Sequence, residues 1–290
     1  MADVTFSLVE HPWLFVLVFL LTFLVVNILA IIVLVAVLKL PRDAPTTGTW
    51  AGILTYGLMI FLLVPFVMGF YDQSSPYSDY LKEIYLIPMK PLLYLILLGV
   101  SCYLFLALSQ MAGTLVYRLS QGQPVDRAFF RANFPFRSEL PPHSASWFVS
   151  TTSIFEEIAY RGVVMAMFLR FYDQPKAILF SALAFGAMHL FNLLSGRAPV
   201  FLVGQAVWAA ILGLFYGYVT LTSGNLLPAM IVHYLGNLFV HPFIAYIQNN
   251  ASMRVQALYG VIFSAGVIPT VLMSIWVLVF TTLWPLPSAT

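Results

Sequence analysis

Glu156, Glu157 and Arg161 lie within SIFEEIAYRG, residues 153–162, inside a run that is otherwise apolar. On insertion scales each charge near a helix centre costs about 2.5–3.5 kcal/mol, so the three carry a raw penalty of roughly 7–10 kcal/mol. Charges kept at that cost call for chemistry or for a buried structural network. Glu157 and Arg161 share a helix face, which makes an intrahelical ion pair available. Glu156 is turned about 100° from Glu157. It is expected to face another helix or a wet cavity, where partial desolvation would suit it to general-base work.

Two further apolar runs supply matching partners. FGAMHLFN, residues 185–192, contains His189, and HYLGNLFVH, residues 233–241, sets His233, Asn237 and His241 on one helix face. A carboxylate, two histidines and an asparagine suit the activation of water and the holding of an oxyanion. Rival readings share these residues: helix packing for a lone membrane histidine, a structural network for Glu157 and Arg161, or a proton relay in a transporter. His241 precedes Pro242 near the end of its run and reads as packing. Asn192 either supports His189 or marks the end of its span, and Asn27 and Gln205 read as helix–helix hydrogen bonders. The chain has no Gly-rich phosphate loop, no two-histidine zinc helix and no Gly-x-Ser-x-Gly elbow, so nucleophilic serine or cysteine chemistry has little support.

These side chains must be positioned by membrane helices. Apolar types make up 61% of the 290 residues and charged types 8%, against roughly 25% charge in a soluble domain. The fold class is therefore all-α, a polytopic membrane helical bundle. With about 20 apolar residues needed per crossing, eight spans are expected: 13–38, 50–71, 91–117, 145–169, 177–194, 200–222, 226–247 and 257–284. The first reads as a retained anchor, because Lys39 and Arg42 follow it without a small-residue cleavage pattern. Lys39, Arg42, Arg118, Arg127, Arg131, Arg137, Arg197 and Arg254 would lie on one side and Lys82, Lys90, Arg170 and Lys176 on the other, which predicts N-terminus out and C-terminus out. Glu156 lies some 16 Å into its span, near mid-depth, and a cavity opening toward the cytoplasm is preferred.

DRAFFRANFPFR, residues 126–137, interleaves arginine with phenylalanine and is expected to lie in the membrane interface. A net charge of +2 gives no support to nucleic acid as a partner. Cys102 is the sole cysteine, so no disulfide forms within the chain. One membrane domain, residues 1–290, is expected, with a motif-bearing core at about 145–245. The lack of inverted repeats and paired broken helices weighs against a proton-coupled transporter.

EEIAYR, FGAMH and HYLGN resemble, in order and on separate apolar runs, the Glu-Glu-x-x-x-Arg, Phe-x-x-x-His and His-x-x-x-Asn motifs of the CPBP intramembrane proteases, also called the CAAX-protease and bacteriocin-processing or Abi family. The stretch GNLLPAMIVHYLGN looks more like bacterial members. The resemblance implies an intramembrane protease in which Glu156 activates water, His189 helps hold it, and His233 and Asn237 polarise the scissile carbonyl and stabilise its oxyanion. Glu157 and Arg161 would support Glu156, and Phe185 would pack beside His189. The family is labelled metalloprotease, and a Glu156, His189 and His233 set could supply three zinc ligands with one open position; the metal-free arrangement is slightly favoured. The implied partner is a membrane-anchored protein or peptide substrate in the lipid bilayer, and the expected location is a bacterial inner membrane. A non-catalytic immunity or scaffold protein of the same fold stands as the alternative.

Overall fold

Where the sequence offers long apolar runs, the computed structural model has long helices; it describes residues 7–42, 44–70, 76–133, 146–195, 198–239, 246–247 and 249–285. In chain order these are α1 (Pro12–Ala36), α2 (Pro45–Val67), α3 (Tyr77–Glu83), α4 (Leu92–Ser120), α5 (Arg127–Asn133), α6 (Ser146–Ser150), α7 (residues 152–169), α8 (Gln174–Met188), α9 (Pro199–Ser223), α10 (Leu227–Phe239) and α11 (Met253–Leu283). There is no strand among the described residues. The protein is an all-α, polytopic membrane bundle.

Among the described residues five helices, α1, α2, α4, α9 and α11, are long and apolar enough to cross a membrane. The other three of the eight expected spans are the motif-bearing runs. α7 carries Glu156, Glu157 and Arg161, α8 has only 15 residues, and α10 only 13. The motif-bearing helices are thus the ones least like ordinary crossings. Around them α1 turns Leu17, Leu21, Ile28 and Ile32 outward, as a lipid-facing helix does. α5 covers part of the arginine–phenylalanine segment: Phe129 is buried under the Arg118 guanidinium at 4.3 Å, while residues 134–137 of that segment and His241 lie outside the described residues.

α2, α7 and α11 each contain a π turn, at Met59–Leu63, Ile158–Val164 and Gly260–Ser264. A π turn shifts carbonyls out of the ordinary hydrogen-bond ladder, and in lipid they need another donor. Neighbouring helices provide it. The hydroxyls of Tyr80 and Tyr77 donate to Ile60 O at 2.6 Å and Phe61 O at 3.1 Å. Ser181 donates to Tyr160 O at 2.6 Å, and Ser109 and Gln110 to Phe263 O at 2.7 Å and Ser264 O at 2.9 Å. Each irregular turn is thereby tied to a partner helix.

Small residues bring α8 and α9 close. A Cβ on Gly186 would fall 2.6 Å from Ala206 O, and Gly213 and Gly217 lie against Ala182 and Ile178. The path from α9 into α10 is a tight turn: Gly224 takes φ +69°, and Asn225 accepts from Leu227 N at 2.9 Å while donating to Tyr85 O at 3.0 Å. The left-handed glycine ends one helix and the asparagine caps the next, which fixes the register at which α10 presents His233. Two apolar clusters result, one built on α1, α2, α7 and α8 and the other on α4, α9, α10 and α11. The polar motif residues sit at their seam.

Candidate active site

α7 places two adjacent carboxylates against one imidazole of α10. Glu157 Oε1 accepts from His233 Nδ1 at 2.7 Å, and Glu156 Oε2 lies 3.7 Å from Nε2 of the same ring. Because an ionised carboxylate only accepts, Nδ1 must carry the proton, and Nε2 is the nitrogen turned toward Glu156. Both glutamates therefore reach His233, from opposite edges. The resemblance gives Glu157 the support of Glu156; in the structure its side-chain partners are His233 and Arg161.

Arg161 completes the anchor. Its Nη1 lies 3.2 Å from Glu157 Oε1, and both side chains are fully buried. The guanidinium also lies over the rings of Phe185 at 4.2 Å and Tyr216 at 5.1 Å. Gly213 makes room for it, since a Cβ there would come within 2.6 Å of Nη2. Tyr216 in turn stacks on His233 at 5.1 Å with a 21° interplanar angle. One imidazole, one guanidinium and two aromatic rings thus form a packed unit around Glu157.

His189 arrives from α8 at the point where that helix tightens into the 3-10 segment His189–Ser195. There the His189 backbone N–H turns to Gly186 O and Ala187 O, and its own Nδ1 donates to Phe185 O at 2.9 Å. That bond fixes the tautomer and leaves Nε2 as the free nitrogen. The Phe185 ring meets both histidines edge-on, at 4.8 Å from His189 and 5.8 Å from His233. Phe185 packs beside His189 as the motif implies; its contact with His233 was not legible from spacing.

Exposure separates the two carboxylates. Glu157 has no accessible side-chain surface, whereas Glu156 keeps 24% and His233 11%. The exposed side of the pair is the one that carries Glu156. Asn237 stands one turn beyond His233 on α10 and is exposed, and its side chain makes no hydrogen bond among the described residues. Of the incidental polar residues, Asn27 donates to Thr55 Oγ1 at 3.4 Å, a helix–helix bond as expected. Gln205 differs, because its Oε1 is buried and finds no hydrogen-bond partner among the described residues.

The zinc reading asks for a gathered donor set. His233 and His189 each commit Nδ1, leaving two Nε2 atoms and Glu156 as the ligands a metal would need. Among the described residues no group of three or more histidine, cysteine, aspartate or glutamate side chains is arranged to hold a metal ion. The residues do not fit a zinc site in this arrangement, and no step below runs through one.

Residues 141–239 match the family model described as type II CAAX prenyl endopeptidase Rce1-like. The matched stretch contains all seven motif residues and agrees with the CPBP resemblance. No curated protein and no solved structure matches the chain.

Proposed function

We propose, from the premise that residues 141–239 are those of an Rce1-like CAAX-type intramembrane protease, that the chain cleaves a peptide bond near the C-terminus or membrane anchor of a membrane-associated protein or peptide. The observation that carries this reading is the His233 imidazole held between two carboxylates of different exposure. At 3.7 Å, Glu156 Oε2 and His233 Nε2 are too far apart for a direct hydrogen bond and close enough to address one reacting group together.

In the proposed sequence Glu156 takes a proton from water as hydroxide adds to the scissile carbonyl. His233, with Nδ1–H given to Glu157, presents Nε2–H in its protonated form to the oxyanion, and the Asn237 amide adds a second donor. His189 helps hold the water through its free Nε2. Collapse of the tetrahedral intermediate expels the amine, which takes its proton from Glu156, so that one water and one peptide bond yield a carboxyl and an amino terminus. Each of these tasks falls within the range of general acid–base and oxyanion catalysis, about 10²- to 10⁴-fold and 10²- to 10³-fold respectively.

Hydrolysis in the bilayer suits a substrate already concentrated there by its anchor. The matched family's name points to prenylated C-terminal tails; bacteriocin-type precursors and C-terminal anchoring signals fit the same chemistry, and a bacterial inner membrane would favour the latter two. The test compares, by mass spectrometry of protein C-termini, membranes with the wild-type chain, with Glu156→Gln and with neither. New C-termini that appear only with the wild type support the proposal. A phenotype retained by Glu156→Gln without any new terminus would replace it with a scaffold role.

A further inference from the structure

Tyr216 lies outside the three motifs and takes no part in the proposed proton transfers. α9 brings it to the site by close packing at the glycines around it. Gly213 leaves room for the Arg161 guanidinium, and a Cβ on Gly217 would meet Ile178 of α8 at 3.0 Å. The Tyr216 ring is buried and lies almost flat on the His233 imidazole, with centroids 5.1 Å apart and planes 21° apart. The Arg161 guanidinium stands 5.1 Å from the centroid of the same tyrosine ring. Phe185 meets the imidazole at 5.8 Å with its plane turned by 83°.

His233 Nδ1 donates to Glu157 Oε1 at 2.7 Å. That bond decides which ring nitrogen faces Glu157, but it does not fix the plane of the ring. The last torsion of a histidine side chain is broad, and a hydrogen bond weakens steeply only below about 120°, so the bond alone tolerates tilts of tens of degrees. A catalytic group works within about 10–20° of its productive direction. Nε2–H has to be aimed at an oxyanion while Glu156 lies 3.7 Å from the same nitrogen, and the Glu157 bond leaves that aim loose. A flat ring packed on the imidazole face opposes the tilt, because tilting drives one edge of the imidazole into it.

We infer that Tyr216 is a positioning residue of the active site: its ring holds the plane of the His233 imidazole, as Glu157 holds Nδ1, and the two together keep Nε2 aimed. This inference rests on the reading of His233 as the oxyanion donor. The rival is that Tyr216 only fills space between α9 and α10. Substitutions that keep the flat ring, remove it, or remove a buried ring elsewhere separate the two.

The experiment uses the purified full chain, its substrate taken from the C-terminal comparison. Tyr216→Leu removes the flat face and should lower kcat about 10- to 100-fold, the range of a misaimed oxyanion donor, with KM changed less than about twofold. Tyr216→Phe keeps the ring and should restore most of that turnover. Phe168→Leu removes a fully buried ring packed against Trp13, Tyr172 and Phe180 and should leave the kcat of the folded protein unchanged. Where Tyr216→Leu does not fold, Tyr216→Met carries the same expectation, because its flexible chain fills space without a flat face. Independently of turnover, nitrogen-15 NMR of histidine-labelled protein should give one narrow His233 pattern in the wild type and Tyr216→Phe and a broadened or divided one in Tyr216→Leu. A wild type that cleaves nothing defeats the hydrolase reading; a divided pattern in Tyr216→Leu then still supports the hold of Tyr216 on the ring, and an undivided one overturns it. Wild-type kcat in Tyr216→Leu, a Tyr216→Phe as slow as Tyr216→Leu, or an equal fall in Phe168→Leu overturns the inference.

Discussion

Replacing Arg161 with methionine removes a charge while keeping a long apolar side chain, and the structure sets the size of the effect. Arg161 and Glu157 are both fully buried, with Nη1 3.2 Å from Oε1, so solvent screening gives little relief to whichever charge is left alone. Removing one partner of a buried ion pair costs about 3–5 kcal/mol. The guanidinium also lies 4.2 Å from Phe185 and 5.1 Å from Tyr216, contacts worth about 1 kcal/mol together. Arg161→Met should therefore destabilise the folded chain by about 4 kcal/mol or more. Glu157→Gln alone leaves Arg161 uncompensated and should cost a comparable amount. In the double variant neither orphaned charge remains, so its cost should fall short of the sum of the singles by about 2–3 kcal/mol. Equilibrium unfolding of the four proteins in mixed micelles measures the cycle. Additivity within about 0.5 kcal/mol would refute the argument that Glu157 and Arg161 are coupled as a buried unit.

Three further outcomes follow from the packing. Gly213→Ala should cost about 1–3 kcal/mol, because the new Cβ would sit 2.6 Å from Arg161 Nη2 and 3.1 Å from Ala182 Cβ; turnover should fall more than in Gly217→Ala, where the nearest atoms to the Cβ belong to the Ile178 side chain. Ser181→Ala leaves the Tyr160 carbonyl of the α7 π turn without its 2.6 Å donor and should cost about 1–3 kcal/mol by unfolding. Asp173, in the loop before α8, is held below the ordinary carboxylate value by hydrogen bonds from the side chain and backbone of Lys176. Its contribution is present above the unfolded value and is lost as pH falls through the lower folded value. Asp173→Asn should flatten that acid-side slope of stability against pH, as read by thermal unfolding across the carboxylate range.

Much of this arrangement was legible before any coordinates. The excess of apolar over charged residues announced a helical membrane bundle, and the cost of three charges in one apolar run identified α7 as the element with something to do. Spacing also predicted the Glu157–Arg161 pair and the sharing of one face by His233 and Asn237. Spacing could not say which carboxylate would meet which nitrogen. That depends on the Ser181-braced π turn of α7 and on the register set by Gly224 and Asn225 at the head of α10, both tertiary matters. The aromatic partner Tyr216 was missed for the same reason, since an aromatic residue in an apolar run looks like packing until its neighbour is known. Nothing along the chain marks out Gly213, whose use is visible only with the Arg161 guanidinium above it. Of the eight expected spans, the motif-bearing α7, α8 and α10 are the three that fall outside the described helices long and apolar enough to cross a membrane.

His233 stands between Glu157, 2.7 Å from Nδ1, and Glu156, 3.7 Å from Nε2, and the proposal makes the first its anchor and the second its working partner. Nitrogen-15 NMR of histidine-labelled protein tests this directly, with the His233 signals assigned by their loss in His233→Gln. The account predicts a protonated Nδ1 with a strongly hydrogen-bonded proton, a signal lost in Glu157→Gln and retained in Glu156→Gln. An Nδ1 that carries no proton, or whose signal is indifferent to Glu157→Gln, would contradict it.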